Sequence, residues 1–226
     1  MIFFSGFTEA TRKKAVIDLL LKQSHTNLSY FVLLSVSSLV VALGLSLDNV
    51  SVVIGGMLIA PFLTPILSLG LGITVNSVVT VLRSFQGIIT SIFIVLLWSF
   101  IVSSLVHNQD NYLTTEILSR GQLSLMYFII AFLSGLGATY AWVDPSLAAS
   151  LPGVSVAVAL VPPLSVTGIA LAQANRELMF ASFNLFAVNV AGIVLASIII
   201  FALFNFGKFK QFTEKKVEEE VKSEGV

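Results

Sequence analysis

Residues 49–82 read NVSVVIGGMLIAPFLTPILSLGLGITVNSVVTVL. The run carries no charged side chain, and Pro61 and Pro65 stand in its middle. About 20 apolar residues cross a bilayer as a helix. Proline removes a backbone donor and breaks the helix it enters. In hydrocarbon the freed carbonyls find no water, so a broken helix persists only inside protein or against a water-filled cavity. A second uncharged run, 145–175, surrounds Pro162 and Pro163 in the same way. Two such segments, one per half of the chain, point to a solute site near the membrane midplane.

The composition agrees with a membrane solvent. Of 226 residues, 56% are hydrophobic and 11% charged, against about 25% charged in ordinary soluble domains. The net charge is zero, so no basic footprint for nucleic acid is present. There is no cysteine, which excludes disulfides, thiolate metal sites and thiol catalysis. The opening residues, Ile2-Phe3-Phe4 before any basic cluster, reverse the order of a signal peptide.

Working outward, an amphipathic lead occupies residues 1–27, with a helix expected over Thr8 to Lys22. It either lies on an anionic leaflet or packs on the protein's own loops. A membrane domain follows over 28–207. Its expected segments are 28–47, the broken 49–73, 84–106, 123–143, the broken 149–174 and 178–206. The tail, 208–226, is charged and read as solvated, with Lys215/Glu219 and Lys216/Glu220 spaced for pairing in a helix. The fold expected is all-α, with about six transmembrane segments.

Four basic residues precede the first span and five follow the last. The positive-inside rule then places both termini in the cytoplasm of a cell membrane. Six crossings would put Arg83 inside and Arg120 and Arg176 outside. Four, with the broken segments re-entrant, would put Arg120 inside and Arg83 and Arg176 outside. The rule does not choose between them.

The halves also resemble each other, as repeats over about 28–106 and 123–206. Asp48 and Asp144 each close the first span of a half, and Ser38 and Ser134 precede them by ten residues. Ala60-Pro61-Phe62-Leu63-Thr64 matches Val161-Pro162-Pro163-Leu164-Ser165 in character. Three crossings per half make the second half inverted; two make the repeat parallel.

The stretch Ile54 to Gly70 resembles the signature of the prokaryotic membrane family called domain of unknown function 389. So do Gly153-Val154-Ser155-Val156-Ala157-Val158-Ala159-Leu160-Val161-Pro162-Pro163-Leu164 and Asn189-Val190-Ala191-Gly192-Ile193. Leu63-Thr64 stands where a Leu/Met-Gly pair is more usual. The resemblance implies a multi-spanning prokaryotic protein and no particular activity.

The chemistry expected is binding rather than catalysis. Pro61 and Pro162 suit the first turn of a second half-helix, where no donor is lost. Thr64 and Ser165 would follow in that turn and either satisfy orphan backbone groups or face a solute, near half-helix N-termini that favour anions or carbonyl oxygens. Gly55, Gly56 and Gly168 would permit close backbone approach. Asp48 and Asp144 are expected to cap the segments that follow them, or to gate. Arg83 would snorkel to headgroups, and Asn189 would bond between helices. Ala187, Ala191 and Gly192 form a small-residue face suited to packing within or between subunits, and a homo-oligomer is expected. No enzyme motif, metal cluster or cofactor fingerprint is present; Gly153-Val154-Ser155-Val156-Ala157 lacks the final glycine of a nucleophile elbow. The function expected is passage of a small polar solute or ion at the broken helices. The alternative is a non-transporting oligomeric scaffold or accessory subunit.

Overall fold

The structure, a computed structural model, describes residues 9–106, 113–122, 124–144, 147 and 160–224. Its helices are α1 (Glu9–Ser24), α2 (Leu28–Ser46), α3 (Val50–Ile59), α4 (Leu63–Thr74), α5 (Val78–Leu105), α6 (Thr115–Ser119), α7 (Leu125–Val143), α8 (Val161–Ala172), α9 (Arg176–Leu203) and α10 (Lys210–Glu224), with a 3-10 turn at Phe206–Phe209. Four of them, α2, α5, α7 and α9, are long and apolar enough to cross a membrane, or five spans if the bent pair α3–α4 is one. The chain is an all-helical polytopic membrane protein. The fifth expected segment, 149–174, is described only from residue 160, as the 12-residue α8; the Gly153–Ala159 motif lies outside the described residues.

Short polar corners set the helix boundaries. Asp48, Asn76 and Ala174 each have a left-handed backbone, with φ of 52°, 55° and 54°. The next residue in each case, Asn49, Ser77 or Asn175, accepts a hydrogen bond from a backbone N–H three residues on. One three-residue corner thus closes a helix in Schellman style and caps the next. Asp48 therefore does not cap α3, contrary to the sequence expectation; Asn49 does. The corner before α5 lets that helix begin at Val78, six residues ahead of the expected start, and takes Arg83 into it.

The chain directions follow from contacts. At the end where α2 begins, the Tyr30 hydroxyl meets that of Ser91 at 2.7 Å, and Gly87 of α5 faces Thr26. At the other end, the Thr114 hydroxyl donates to the Leu45 carbonyl at 2.8 Å, and Gln173 Nε2 donates to Ser103 at 3.0 Å. Helices α2 and α5 are therefore parallel. The α3–α4 pair, bent by 52°, returns the chain from the far end of α2 to the near end of α5. Helix α7 packs on α9, with Gly135 against Ile193 and Ala196 and Tyr140 ring-to-ring with Phe204 at 6.0 Å. These two are parallel to each other and end where α2 begins.

The chain ends depart from the expected solvated tail. Helix α1 buries Val16, Ile17, Leu20 and Leu21 and packs on the helices α4, α7 and α10 rather than on loops. Helix α10 buries Thr213 and Val217 completely. Lys216 pairs with Asp18 at 3.3 Å and Glu219 at 3.0 Å rather than with Glu220. Glu220 instead pairs with Arg83 at 2.9 Å, so Arg83 does not reach for headgroups. The expected Lys215–Glu219 pair forms at 3.9 Å, whereas Asp18 and Arg83 reach α10 from elements distant in sequence.

Candidate functional site

Two short helices, α4 and α8, lie at the centre of the fold. Each has 12 residues, and each leads through a three-residue corner into a 28-residue helix, α5 or α9. Every residue of α8 from Val161 to Ala170 is buried, as are nine of the twelve in α4. Burial on all sides explains why both are free of charge and largely apolar, with hydroxyls as their polar side chains.

Glycine sets how closely these helices approach their neighbours. A β-carbon on Gly168 would lie 2.8 Å from the Leu96 carbonyl oxygen and 2.8 Å from the Ser99 β-carbon, so α8 presses on α5. A β-carbon on Gly70 would lie 2.8 Å from the Ser197 β-carbon, so α4 presses on α9. Gly168 stands ninety-eight positions after Gly70, and Ser197 ninety-eight after Ser99. The offset that carries one glycine–serine contact to the other exchanges the partners between halves. Pro65 and Pro163 occupy corresponding positions in the first turns of α4 and α8.

That register differs by three residues from the one expected. Pro61 precedes α4 rather than entering its first turn; Pro65 takes that place. Pro162 does fall in the first turn of α8, but Ser165 is one turn deeper than expected. Thr64 corresponds to Pro162, and Ser165 to Leu67. The sequence match aligns the first proline of each run, whereas the left-handed corners at Asn76 and Ala174 and the contacts of Gly70 and Gly168 share the ninety-eight-residue offset.

The expected site residues therefore divide. Thr64 donates to the carbonyls of Gln23, at 2.9 Å, and Pro61, at 3.0 Å, which ties the first break to the end of α1. Pro61 and Thr64 border an open cavity of about 530 Å³, together with His25, Asn27, Tyr30 and Trp142. This break lies at the depth where α2 begins. Pro162 and Ser165 are buried elsewhere, in α8, which packs on α5, α9 and α2. Gly56 accepts from Ser37 through its carbonyl at 2.8 Å and lets α3 approach Val41. A β-carbon on Gly55 would meet nothing within 4 Å, so close approach does not require it. A second cavity, about 420 Å³, opens at the far end beside Gly121, Asn175 and Leu178.

Asp48 and Asp144 are not brought together. The Asp48 carboxylate accepts from the Glu116 amide at 2.8 Å, which pins α6 to the end of α2. That hydrogen bond holds its pKa below the usual carboxylate value. Asp144 closes α7, and most of the segment it was expected to cap lies outside the described residues.

Hydroxyls dominate the buried polar side chains. Several satisfy themselves on their own helix, as Ser38, Ser91, Thr139 and Ser182 do with the carbonyl four residues back. Ser99 and Ser165, both fully buried, have no hydrogen-bond partner among the described residues. Ser99 was not singled out from sequence; its signal is the ninety-eight-residue echo of Ser197. Asn189 is buried in α9. Among the described residues, no group of His, Cys, Asp or Glu is placed to hold a metal ion.

The chain matches the family model described as Domain of unknown function (DUF389) over residues 57–195. It belongs to the DUF389 family. The matched region contains the whole of α4, α5, α7 and α8. The DUF389 chain is similar to an uncharacterized protein of Methanocaldococcus jannaschii, 30% identical over 185 residues. That match covers 81% of this chain and 57% of the relative, so the chain spans little more than half of that protein's length. No solved structure matches it.

Proposed function

We propose that this DUF389 protein lets a small polar solute or ion pass between two halves that are inverted copies of one three-segment unit. The exchange of partners between Gly70–Ser197 and Gly168–Ser99 carries this reading. A two-fold relation in the membrane plane produces such a swap, and transporters built on inverted repeats place their sites where the repeats meet. In this reading the broken segments cross, giving six crossings with Arg83 on the side of the termini. The Asp18–Lys216 and Arg83–Glu220 pairs support that placement, and the basic residues at both ends make that side the cytoplasm. No charged residue falls within α2–α4, α7 or α8, so the passage lacks the buried carboxylate relay usual in proton-coupled pumps.

The exposed side of α9 bears on assembly. Asn184, Ala187 and Ala191 are exposed there, one turn apart, whereas Gly192 packs on α7 within the chain. A polar and small-residue face toward lipid supports a homo-oligomer contact.

The scaffold reading draws on the dense packing around α8, buried from Val161 to Ala170. Sealed liposomes carrying purified protein distinguish the two. Passage yields flux of at least one of a panel of polar solutes and ions above empty liposomes. A scaffold leaves every member at the empty-liposome rate.

A further inference from the structure

From the seam between α5 and α8 we infer the class of solute: small, uncharged and able to hydrogen-bond, held at Ser99 and Ser165. The inference rests on the passage reading and narrows it.

Three observations converge. First, the two hydroxyls share one seam. Gly168 faces Leu96 and Ser99 of α5, and Ser165, three residues before Gly168, lies one helical turn away on the same face. Second, among the described residues these are the buried hydroxyls without a hydrogen-bond partner. Serine in a buried helix ordinarily donates to the carbonyl three or four residues back, and the buried serines bonded that way include neighbours on both long helices, Ser91 and Ser197. A buried polar group left unpaired costs free energy, so two on one seam mark a place where something else supplies the hydrogen bonds. Third, the seam has no charge with which to hold an ion. The only ionisable side chains of α5 and α8 described are Arg83, committed to Glu220 at the near end of α5, and none in α8. A hydroxyl both donates and accepts but neutralises nothing, and an ion stripped of water in a low-dielectric interior needs a counter-charge or a dense shell of oxygens. A neutral molecule with donors and acceptors needs neither.

The mirror seam sharpens the assignment. Its counterparts are Ser197, which donates to the Val194 carbonyl at 2.8 Å, and Leu67, fully buried and apolar. The α4–α9 seam is self-satisfied, and the α5–α8 seam is the one left to a solute.

The test uses the full chain in sealed liposomes. Glycerol and urea are followed by stopped-flow light scattering, and rubidium and chloride by tracer uptake. Glycerol or urea flux is expected above empty liposomes and saturable, with both ions at background. Ser99→Ala and Ser165→Ala should each lower that flux about threefold to tenfold, the loss expected for one hydrogen bond, and together by more than either alone. Ser165→Cys, near-isosteric, guards against a folding defect, and Ser38→Ala, bonded within α2, should leave flux unchanged. Ion flux with neutral solutes at background would overturn the solute class and leave passage standing. Neutral flux untouched by the double alanine change would overturn the site. No flux of any probe would overturn passage, and this inference with it.

Discussion

Gly168 lies against Ser99 so closely that a β-carbon on the glycine would sit 2.8 Å from the serine's own. The neighbour on the other side is the Leu96 backbone carbonyl, also at 2.8 Å, which cannot swing away as a side chain can. Gly168→Ala should therefore force α8 from α5 and destabilise the protein by about 1–3 kcal/mol, as overpacking does. Gly55→Ala has open space and should stabilise by about 0.5–1 kcal/mol by removing backbone entropy from the middle of α3. Thermal unfolding of both variants in detergent measures the contrast, and equal melting shifts would deny the seam its tight packing.

The ion pair of Arg83 with Glu220 joins the start of α5 to the end of the chain. Its side chains are 23% and 16% exposed, between a surface pair and a buried one. Glu220→Arg should cost about 1–2 kcal/mol on that scale, and adding Arg83→Glu should recover most of it. Unfolding of the two single variants and the double variant gives the coupling. Additive losses would mean that the pair does not hold α10 in place.

These two contacts also show what the sequence made legible and what it did not. Charge-free runs with paired prolines are enough for an all-helical membrane protein with a break at Pro61, because the bilayer leaves few options for a backbone. The Pro61–Pro162 match is three residues out of step with the offset shared by the Gly70–Ser197 and Gly168–Ser99 contacts and the corners at Asn76 and Ala174, because prolines look alike in sequence while those contacts depend on the neighbouring helix. Arg83 and Glu220 are too far apart in sequence for any helical spacing rule to join them. Thr64 and Ser165 were matched as hydroxyls beside proline, yet one ties down a loop and the other lies unpaired in a seam. The partner of a buried hydroxyl is decided by the neighbouring helix, which local sequence does not name.

The contact between α1 and α10 should depend on acid. Burial raises the Asp18 carboxyl, but hydrogen bonds and charges from Lys22 and Lys216 outweigh it and leave the pKa below its ordinary 3.8. A depressed folded pKa adds stability above the unfolded value and loses it as pH falls through the folded one. Lys216, raised above 10.5 chiefly by its hydrogen bond to Glu219 and then by Asp18, contributes fully below that value and loses its contribution as pH rises above it. Hydrogen exchange in α10 should stay flat from about pH 5 to 9, after correction for intrinsic rates, and rise below about pH 4. A change centred near neutrality would show that another group controls the contact.

Assembly is tested on the exposed side of α9. Ala191→Leu adds bulk beside Ala187 and Asn184 without touching the α7 contact, which runs through Gly192. It should shift the protein toward monomer by native mass spectrometry in mild detergent, since small residues there permit close helix approach. A wild-type monomer, or an oligomer indifferent to Ala191→Leu, would remove that face from the interface.

Passage between the halves is tested most directly at Ser165. The chain has no cysteine, so Ser165→Cys places a single thiol at a fully buried position. Sealed liposomes of this variant are treated with a small water-soluble thiol reagent, and modification and solute flux are read on the same sample. With an aqueous path along the α5–α8 seam, the thiol is modified and flux falls in proportion, while Lys22→Cys at the near end is modified without loss of flux. A thiol at 165 that stays unmodified while flux continues, or one that is modified with flux unchanged, would contradict passage through this seam.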